Sequence, residues 1–559
     1  MPALARGQTW LLVPPALLLV ALFAVPMALV LGAARDPAAW AWAGDSYARD
    51  TLVLTIEQAT LSTVLTLAIA VPLAWFYHTR RVPMGRLQLA LHAAPFVMPV
   101  FVVVYGLQTV LGPRGWLGVD VLSATGHVIH APFAWLPATL GHLPGLRGIP
   151  DWPAALGPIL VAHAYYNYGF AARMLHAALD RRPHRLEDAA RTLGANRRSV
   201  LRRITMPLLM PSLGAVALLV FLFCFASFGT VLLMGGSQVR TLETVIFSKV
   251  NALFPDMGEA AVLGVIQLAL NGLLLAGYLM LRRRMRRIPA EVPRQARPAG
   301  PVATALSWLL VAAALTPILA VLVGGFQVNG HWSLQPWRHL LSGPNGFDVA
   351  AALRLSLFYA VGGTLLALAS CACLAYGSRG LGAWGRRTVE AVASVPMASS
   401  SALVGLGFML AYGPGTWLPF AYTVWIVLAA HVILILPFAA RAILPAFESH
   451  DQRLDEAAQL LGARPAAVAR RIHWPILRKP ILVALGFCIA LSLGDFGAST
   501  ILSSTGTRGL AVWANTSLGS AFDPVARASS MALAGLLGVL AAAAYVLVER
   551  AGRRAEDPL

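Results

Sequence analysis

Charged side chains are sparse in this chain of 559 residues, and two polar stretches hold many of them. They read RLEDAARTLGANRRSVLRRITMP at 185–207 and RLDEAAQLLGARPAAVARRIHWP at 453–475. Carboxylates, arginines and histidine serve in acid–base catalysis and metal binding, but such sites need a nucleophile beside a base or a cluster of ligands. We find neither arrangement. The sequence therefore predicts no catalytic residue, no metal site and no enzyme activity, and leaves these stretches as charged surfaces.

The rest of the chain is strongly apolar. Apolar residues make up 58% of the sequence and charged residues 12%, and several runs exceed the ~20 residues that a helix needs to cross hydrocarbon. Isolated strands would leave backbone groups unpaired in lipid, so the spans are predicted to be helices. The twelve predicted transmembrane segments are 10–32, 51–77, 91–111, 157–179, 211–234, 260–281, 303–325, 350–376, 391–412, 420–443, 481–503 and 531–549.

The formal net charge of +19 would suit a nucleic-acid-binding protein if the basic residues formed one soluble patch. Instead, most of the 43 lysines and arginines fall in alternate connections between the apolar segments. This is the pattern of the positive-inside rule, and it predicts that both termini and both polar stretches face the cytoplasm. We expect the lipid bilayer, and not nucleic acid, to be the partner of this charge.

The two polar stretches belong to an internal duplication. They align without a gap, and so do flanking residues, including His163 with His431 and Phe228-Gly229 with Phe496-Gly497. We divide the chain into a first half, 1–281, a cytoplasmic linker, 282–302, and a second half, 303–559. Six segments in each half bring both halves into the membrane the same way round, as in parallel repeats. The predicted fold class is an all-α polytopic membrane protein with two parallel six-helix repeats.

Each polar stretch is predicted to fold as two short helices outside the membrane. In the second copy, Leu454, Ala457, Ala458 and Leu461 form one apolar stripe. Gly462 then suits a left-handed helix end and Pro465 a helix start. The first copy repeats the plan, with Gly194 at the helix end and Asn196 as the cap of the next helix. A helix lying on anionic lipid would also be amphipathic, but it would not need the same glycine-to-proline distance twice, so we favour docking to a protein.

The residues of these stretches resemble the EAA motif of ABC importer permeases, with Asp188 where the motif has glutamate. The resemblance implies a type I ABC importer permease fold in the bacterial cytoplasmic (inner) membrane. It also implies that loops 180–210 and 444–480 couple the chain to a cytoplasmic ABC ATPase homodimer. The matching residues are Leu186, Asp188, Ala189, Ala190, Gly194, Ile204, Pro207, Leu454, Glu456, Ala457, Ala458, Gly462, Ile472 and Pro475.

The chain itself lacks the means to hydrolyse ATP. A P-loop needs a glycine-rich cradle followed by a lysine, and the two lysines, Lys249 and Lys479, follow no such loop. We therefore expect no cofactor in this chain, with ATP and Mg²⁺ bound by the partner ATPase. The family resemblance further implies an external solute-binding protein that delivers the cargo.

Longer stretches resemble thiamine transporter permeases, notably FLFCFASFGTVLLMGGSQVRTLETVIF at 221–247 and LSLGDFGASTILSS at 491–504. The GDFG element is also similar to that of ferric-iron permeases, which leaves ferric iron as an alternative cargo to thiamine or its phosphates. An ion-driven secondary carrier is a third possibility. It would be expected to carry several carboxylates at the membrane midplane and no duplicated docking loops.

Thiamine is an organic cation, which aromatic faces and a carboxylate would attract. Asp495 is an acid within an apolar segment, where charge is costly. It is a candidate for the substrate path, although it could instead bond to the backbone at a helix break. The other candidates for this path are Phe496, Phe228, Tyr165, Tyr166 and Asn167.

Overall fold

A computed structural model describes residues 9–43, 45–113, 115–130, 156–180, 184–236, 238–285, 297–416, 418, 420, 423–448, 452–516 and 523–554. Parts of the predicted linker and of the long connection 112–156 lie outside these residues, as do the two ends of the chain. The described residues are mostly helical, with four two-residue strands.

The helices of the first half follow the predicted order of apolar segments. They are α1 (Thr9–Ala33), α2 (Pro37–Ala43), α3 (Ser46–Thr79), α4 (Gly85–His92), α5 (Ala94–Val97), α6 (Val100–Leu111), α7 (Val121–His130), α8 (Leu156–Asp180), α9 (His184–Thr192), α10 (Arg198–Phe225), α11 (Gly229–Gly235), α12 (Leu242–Val250) and α13 (Met257–Met285).

Among the described residues, the second half repeats this order with eleven helices in place of thirteen. Its helices are α14 (Pro301–Gly324), α15 (Gln335–Leu341), α16 (Val349–Gly380), α17 (Ala383–Ala398), α18 (Ser401–Tyr412), α19 (Val424–Glu448), α20 (Gln452–Leu460), α21 (Ala466–Gly494), α22 (Gly497–Leu502), α23 (Leu510–Thr516) and α24 (Pro524–Arg554). Strand β1 (Arg80–Arg81) pairs in parallel with β2 (Arg297–Pro298), and β3 (Gln327–Val328) pairs antiparallel with β4 (His331–Trp332).

Within the described residues, nine helices are long and apolar enough to cross a membrane, and the pair α17 and α18, bent by 93°, makes a tenth span. The other two predicted segments are also helical. Segment 157–179 is α8, whose polar run HAYYNY lowers its hydropathy. Segment 91–111 is broken into α4, α5 and α6. The all-α fold with a duplicated set of spans is confirmed.

The third span of each half is broken at equivalent places. Met98 and Ser399 both have extended backbones, with ψ near 145°. Met98 precedes Pro99, and the ring of a proline disfavours the helical conformation of the residue before it. At the second break, the Ser400 hydroxyl accepts a hydrogen bond from the Leu403 N–H at 3.1 Å and caps the new helix. These breaks place backbone and hydroxyl groups at the interface between the halves.

The halves are held together by exchanging their first helices. Helix α1 of the first half packs against α18 of the second half, and α14 of the second half packs against α6 of the first. Within each half, the second and fourth spans pack together, α3 with α8 and α16 with α19. The fifth and sixth spans also pack together, α10 with α13 and α21 with α24. The two halves are therefore joined through α1 with α18 and through α14 with α6.

Glycines permit the close approach at both exchanged contacts. A Cβ built on Gly106 would lie 2.2 Å from the carbonyl oxygen of Pro317 in α14, and one built on Gly407 would lie 2.8 Å from the Met27 side chain in α1. Lipid-embedded helices associate mainly through such tight packing, because lipid removes the hydrophobic drive. Gly106 and Gly407 also align in the sequence duplication, so both halves use the same device.

We predict that Gly106→Ala separates α6 from α14 and lowers the midpoint of thermal unfolding by several degrees. An inserted methyl group that meets backbone and cannot be accommodated costs about 1–3 kcal/mol. The measurement is thermal unfolding of the purified protein in nanodiscs. Gly272→Ala is the matched control, because Gly272 is also helical and a Cβ added to it would meet nothing within 4 Å. Equal midpoints for the two variants would contradict this account of the interface.

Candidate functional site

Each polar stretch begins with a short helix that ends in the same hydrogen-bonded turn. Gly194 and Gly462 have φ of 86° and 80°, a left-handed conformation that favours glycine. The N–H of Ala195 donates to the carbonyl of Ala190, and that of Ala463 donates to Ala458, both at 2.9 Å. This six-residue closure is a Schellman motif, and the predicted helix ends are confirmed.

The second helix of each stretch begins where predicted but does not end outside the membrane. Asn196 accepts from the Ser199 N–H at 2.8 Å, and the second-copy helix begins at Pro465. Both helices then continue through one π-helical turn, Leu201–Thr205 or Ala469–His473, into α10 and α21. Each π-helical turn ends two residues before a motif proline, Pro207 or Pro475. A proline cannot donate a backbone hydrogen bond in a helix. Each polar stretch is therefore rigidly continuous with a fifth span.

The apolar stripe of each stretch faces solvent. Leu186 and Leu193 are 51% and 87% exposed, and the equivalent Leu454 and Leu461 are 50% and 88% exposed. The motif acids Asp188 and Glu456 are exposed as well. Exposed leucines at matching positions of two repeats are typical of a surface that binds another protein. We call these two surfaces the docking faces.

The acid next to each motif acid is buried and anchors the short helix. In the first half this acid is Glu187, 4% exposed, and its Oε1 accepts a hydrogen bond from the Thr205 hydroxyl at 2.8 Å. Thr205 lies in the π-helical turn at the start of α10. This hydrogen bond therefore joins the two helices of the same polar stretch.

The second-half anchor is ionic and reaches a further span. Asp455, 5% exposed, forms an ion pair with Arg379 near the end of α16 and lies 3.0 Å from His473 Nε2. His473 Nδ1 lies 3.0 Å from the Tyr376 hydroxyl. The Arg379 guanidinium lies 5.0 Å from the centre of the Phe447 ring on α19. The second docking face is thus tied to three spans.

A cavity of about 300 Å³ lies between the two halves, remote from the docking faces. Its wall on the second-half side combines apolar residues with all the ionisable and hydroxyl-bearing lining residues except Tyr166, namely Ser399, Ser400, Ser401, His431, Ser492 and Asp495. Its wall on the first-half side is apolar and aromatic, with Met98, Tyr166, Leu222 and Phe223. Among the path residues predicted from the sequence, Asp495 and Tyr166 line this cavity.

Asp495 lies at the break between α21 and α22. Its Oδ2 accepts hydrogen bonds from the Ser499 N–H at 3.2 Å and the Ser499 hydroxyl at 2.9 Å, which caps α22. The same oxygen lies 3.7 Å from His431 Nε2. The backbone-bonding role considered for Asp495 is therefore present, and the side chain faces the cavity as well.

The predicted path residues Phe228 and Phe496 stack on each other across the two halves. Their ring centres are 5.6 Å apart and their planes differ by 17°. Both are 2% exposed, and Phe101 packs edge-on against Phe496 at 5.0 Å. Phe496 follows Asp495 directly in the chain, so this stack joins the two halves next to the cavity.

The remaining two path candidates lie away from the cavity. The Tyr165 hydroxyl donates to the Ala314 carbonyl at 2.6 Å, which joins α8 to α14. Asn167 is 2% exposed and donates to the His163 carbonyl at 2.9 Å. Both side chains serve the packing of their helices in this structure.

Several residues of the site were not predicted from the sequence. Phe223 and Phe438 line the cavity and stack at 6.4 Å, although they lie far apart in the chain. Glu187 and Asp455 each stand beside another acid, and only helical phase decides which of the two is buried. That phase was available from the apolar stripe, since the residue before each motif acid turns away from the exposed leucines.

Comparison with known proteins agrees with this architecture. Residues 58–287 and 363–556 match the family described as binding-protein-dependent transport system inner membrane component. The chain is 29% identical to the thiamine transport system permease protein ThiP of Brucella abortus (strain 2308), over 91% of this chain and 88% of that protein.

Two further relatives are similar over most of their length. ThiP of Escherichia coli (strain K12) is 28% identical over 88% of each chain. A probable ABC transporter permease of Sinorhizobium fredii is 25% identical over 77% of this chain and 78% of its own. The two family matches, one in each half, include both docking faces and all the residues that line the cavity, and they leave out the first helices α1 and α14. The chain belongs to the family of binding-protein-dependent transport system inner membrane components, and it is an ABC importer permease with two fused halves.

Proposed function

We propose that this permease imports thiamine or its phosphates, powered by a separate ATPase. The observation that carries the cargo assignment is the similarity to thiamine permeases over about nine-tenths of both chains. It extends through the cavity-lining residues of both halves. The chain is the membrane subunit only, and ATP and Mg²⁺ are bound by its partner.

The composition of the cavity supports thiamine over ferric iron. Thiamine combines a positively charged thiazolium ring with an aminopyrimidine, and the cavity combines aromatic rings with one carboxylate, Asp495. Ferric iron is a hard cation that is best held by several oxygen ligands. The described cavity wall offers it a single carboxylate beside one imidazole, His431.

The docking faces support coupling to a two-fold ATPase dimer. The chain has two equivalent exposed leucine stripes, and each ends in the same turn. They would fit two equivalent clefts on a two-fold ATPase dimer. The π-helical turns make each stretch continuous with α10 or α21, so a displacement of the docking face moves a whole span. The positive-inside pattern supports a cytoplasmic location for both faces and for the chain termini. An external solute-binding protein would deliver the cargo to the opposite side of the permease.

Import would proceed by alternating access at the shared interface. A loaded binding protein docks externally, and ATP closes the ATPase dimer around the docking faces. Because α10 and α21 end beside Phe228 and Phe496, their movement would part the aromatic stack and admit the cargo. ATP hydrolysis would then restore the stack and release the cargo inward.

The direct test of cargo is uptake into proteoliposomes that contain this chain, its cognate ATPase and its binding protein. We expect ATP-dependent accumulation of radiolabelled thiamine and none of ferric iron. Accumulation of iron without thiamine would overturn the cargo assignment. Thiamine uptake at the same rate without the ATPase would overturn the assignment of an ATP-driven importer.

A second prediction concerns the docking faces. Leu193→Arg combined with Leu461→Arg should place two charges in the ATPase clefts and reduce co-purification of the ATPase at least tenfold, since burying an unpaired charge is costly. The matched control is Leu253→Arg, because Leu253 is 90% exposed and lies outside both stretches. Undiminished co-purification of the ATPase with the double variant would contradict the proposal that these two surfaces bind the ATPase.

A third prediction concerns the ionic anchor. Asp455→Ala leaves Arg379 and His473 without their carboxylate, and the loss of a buried hydrogen-bonded partner costs about 1–3 kcal/mol. Backbone hydrogen exchange in α20 should then be roughly ten- to hundredfold faster. Glu456→Ala, at the adjacent exposed acid, should leave exchange in α20 within a few-fold of the parent protein. Equal protection in both variants would show that the anchor does not hold the docking face.

A further inference from the structure

Resting on the proposed function, we infer that the interface cavity is a single binding site for an aromatic organic cation, with Asp495 as the counter-ion. The ligand class is a flat ring system with one delocalised positive charge, such as the thiazolium of thiamine. The binding protein would thus pass its cargo to a defined site within the membrane subunit.

The charge of the cavity is the first support. The Asp495 side chain is 10% exposed, and no arginine or lysine is among the described residues that line the cavity. His431 Nδ1 faces the Ser492 hydroxyl at 2.5 Å and its Nε2 faces the Ser499 hydroxyl at 3.0 Å. Two hydroxyl partners satisfy a neutral imidazole. The cavity therefore carries one negative charge in surroundings of low polarity, where a cation is strongly attracted.

The free oxygen of Asp495 is the second support. Both hydrogen bonds from Ser499 go to Oδ2. Among the residues that the structure describes, none donates a hydrogen bond to Oδ1. One oxygen thus fixes the side chain at the start of α22 while the other remains available to a ligand. A carboxylate held in this way is pre-organised, which lowers the entropic cost of binding.

The aromatic wall is the third support. The Tyr166 hydroxyl donates to the Met98 carbonyl at 2.8 Å, which fixes the ring. Phe223 is held by near-parallel stacking with Phe438, whose plane differs by 26°. Ring faces attract cations and stack on aromatic ligands. The volume of about 300 Å³ lies at the lower end of the usual range for small-molecule sites.

The duplication shows that the site is single. In the first half, Ser227 occupies the position of Asp495, and Cys224 that of Ser492. In the second half, Leu434 occupies the position of Tyr166. Asp495 comes from the second half, whereas the aromatic wall combines Tyr166 and Phe223 of the first half with Phe438 of the second, so the halves form one composite site. Two sites related by the pseudo-two-fold axis are therefore not expected.

The decisive variant is Asp495→Asn, which retains an oxygen acceptor for Ser499 and removes the charge. Thiamine is titrated by calorimetry into the permease–ATPase complex in nanodiscs, without the binding protein. We expect one thiamine per complex for the parent protein and at least tenfold weaker binding for Asp495→Asn, with unchanged thermal unfolding. Asp495→Glu should recover part of the affinity. Parent-like thiamine affinity in Asp495→Asn, or no binding to the parent complex, would overturn the proposal.

Thiochrome, an uncharged ring-closed oxidation product of thiamine, separates charge from ring stacking. We expect Asp495→Asn to change thiochrome binding less than threefold, whereas Phe223→Leu weakens both ligands several-fold. An equal loss of both ligands in Asp495→Asn would indicate a structural role for the acid and overturn the counter-ion assignment.

The uptake assay distinguishes this proposal from the proposed function. If the parent transporter imports thiamine and Asp495→Asn imports it with unchanged KM and kcat, the site is refuted while the function stands. If the parent does not import thiamine, the function is refuted, and the calorimetric titration still decides whether the cavity binds an aromatic cation.

Discussion

The interface between the two halves must be tight enough to hold in lipid and still be able to part. Hydrocarbon offers helices no hydrophobic reason to associate, so contact depends on close packing. The exchanged helices α1 and α14 supply it, and Gly106 and Gly407 allow each to approach the opposite half closely. Because each first helix packs against the other half, the two halves are interlocked. The cavity, the aromatic stack and the docking faces all depend on this arrangement.

The interface has different chemistry at its different levels. At one level, Phe228 and Phe496 close it by stacking. Next to them, the broken third spans and the end of α21 expose serine hydroxyls and Asp495 to the cavity. Towards the far ends of α10 and α21 the polar stretches emerge as docking faces. Since α10 and α21 run from these faces to the stack, one continuous helix in each half connects a docking face with the Phe228–Phe496 contact.

Much of this could be predicted from the sequence, and the limits have physical reasons. Gly194, Gly462 and Asn196 were predictable because helix ends are decided by local backbone chemistry. The duplication identified Phe228 and Phe496 as equivalent residues, but it did not predict that their rings stack. The two walls of the cavity were out of reach, because they depend on how distant helices face each other. The extension of α10 and α21 into the polar stretches was also missed, since the apolar runs that predicted these spans begin only at residues 211 and 481.

The most direct test asks whether the ATPase at the docking faces controls the contact between Phe228 and Phe496. Phe228→Cys and Phe496→Cys are introduced together into the complete transporter, and disulfide formation is measured without nucleotide and with the ATPase trapped in its ATP-bound state. The account predicts efficient cross-linking without nucleotide and at least a tenfold lower yield after trapping, because closure at the docking faces parts the stack. Equal cross-linking in both states would contradict a mechanism in which the ATPase opens the interface at this point.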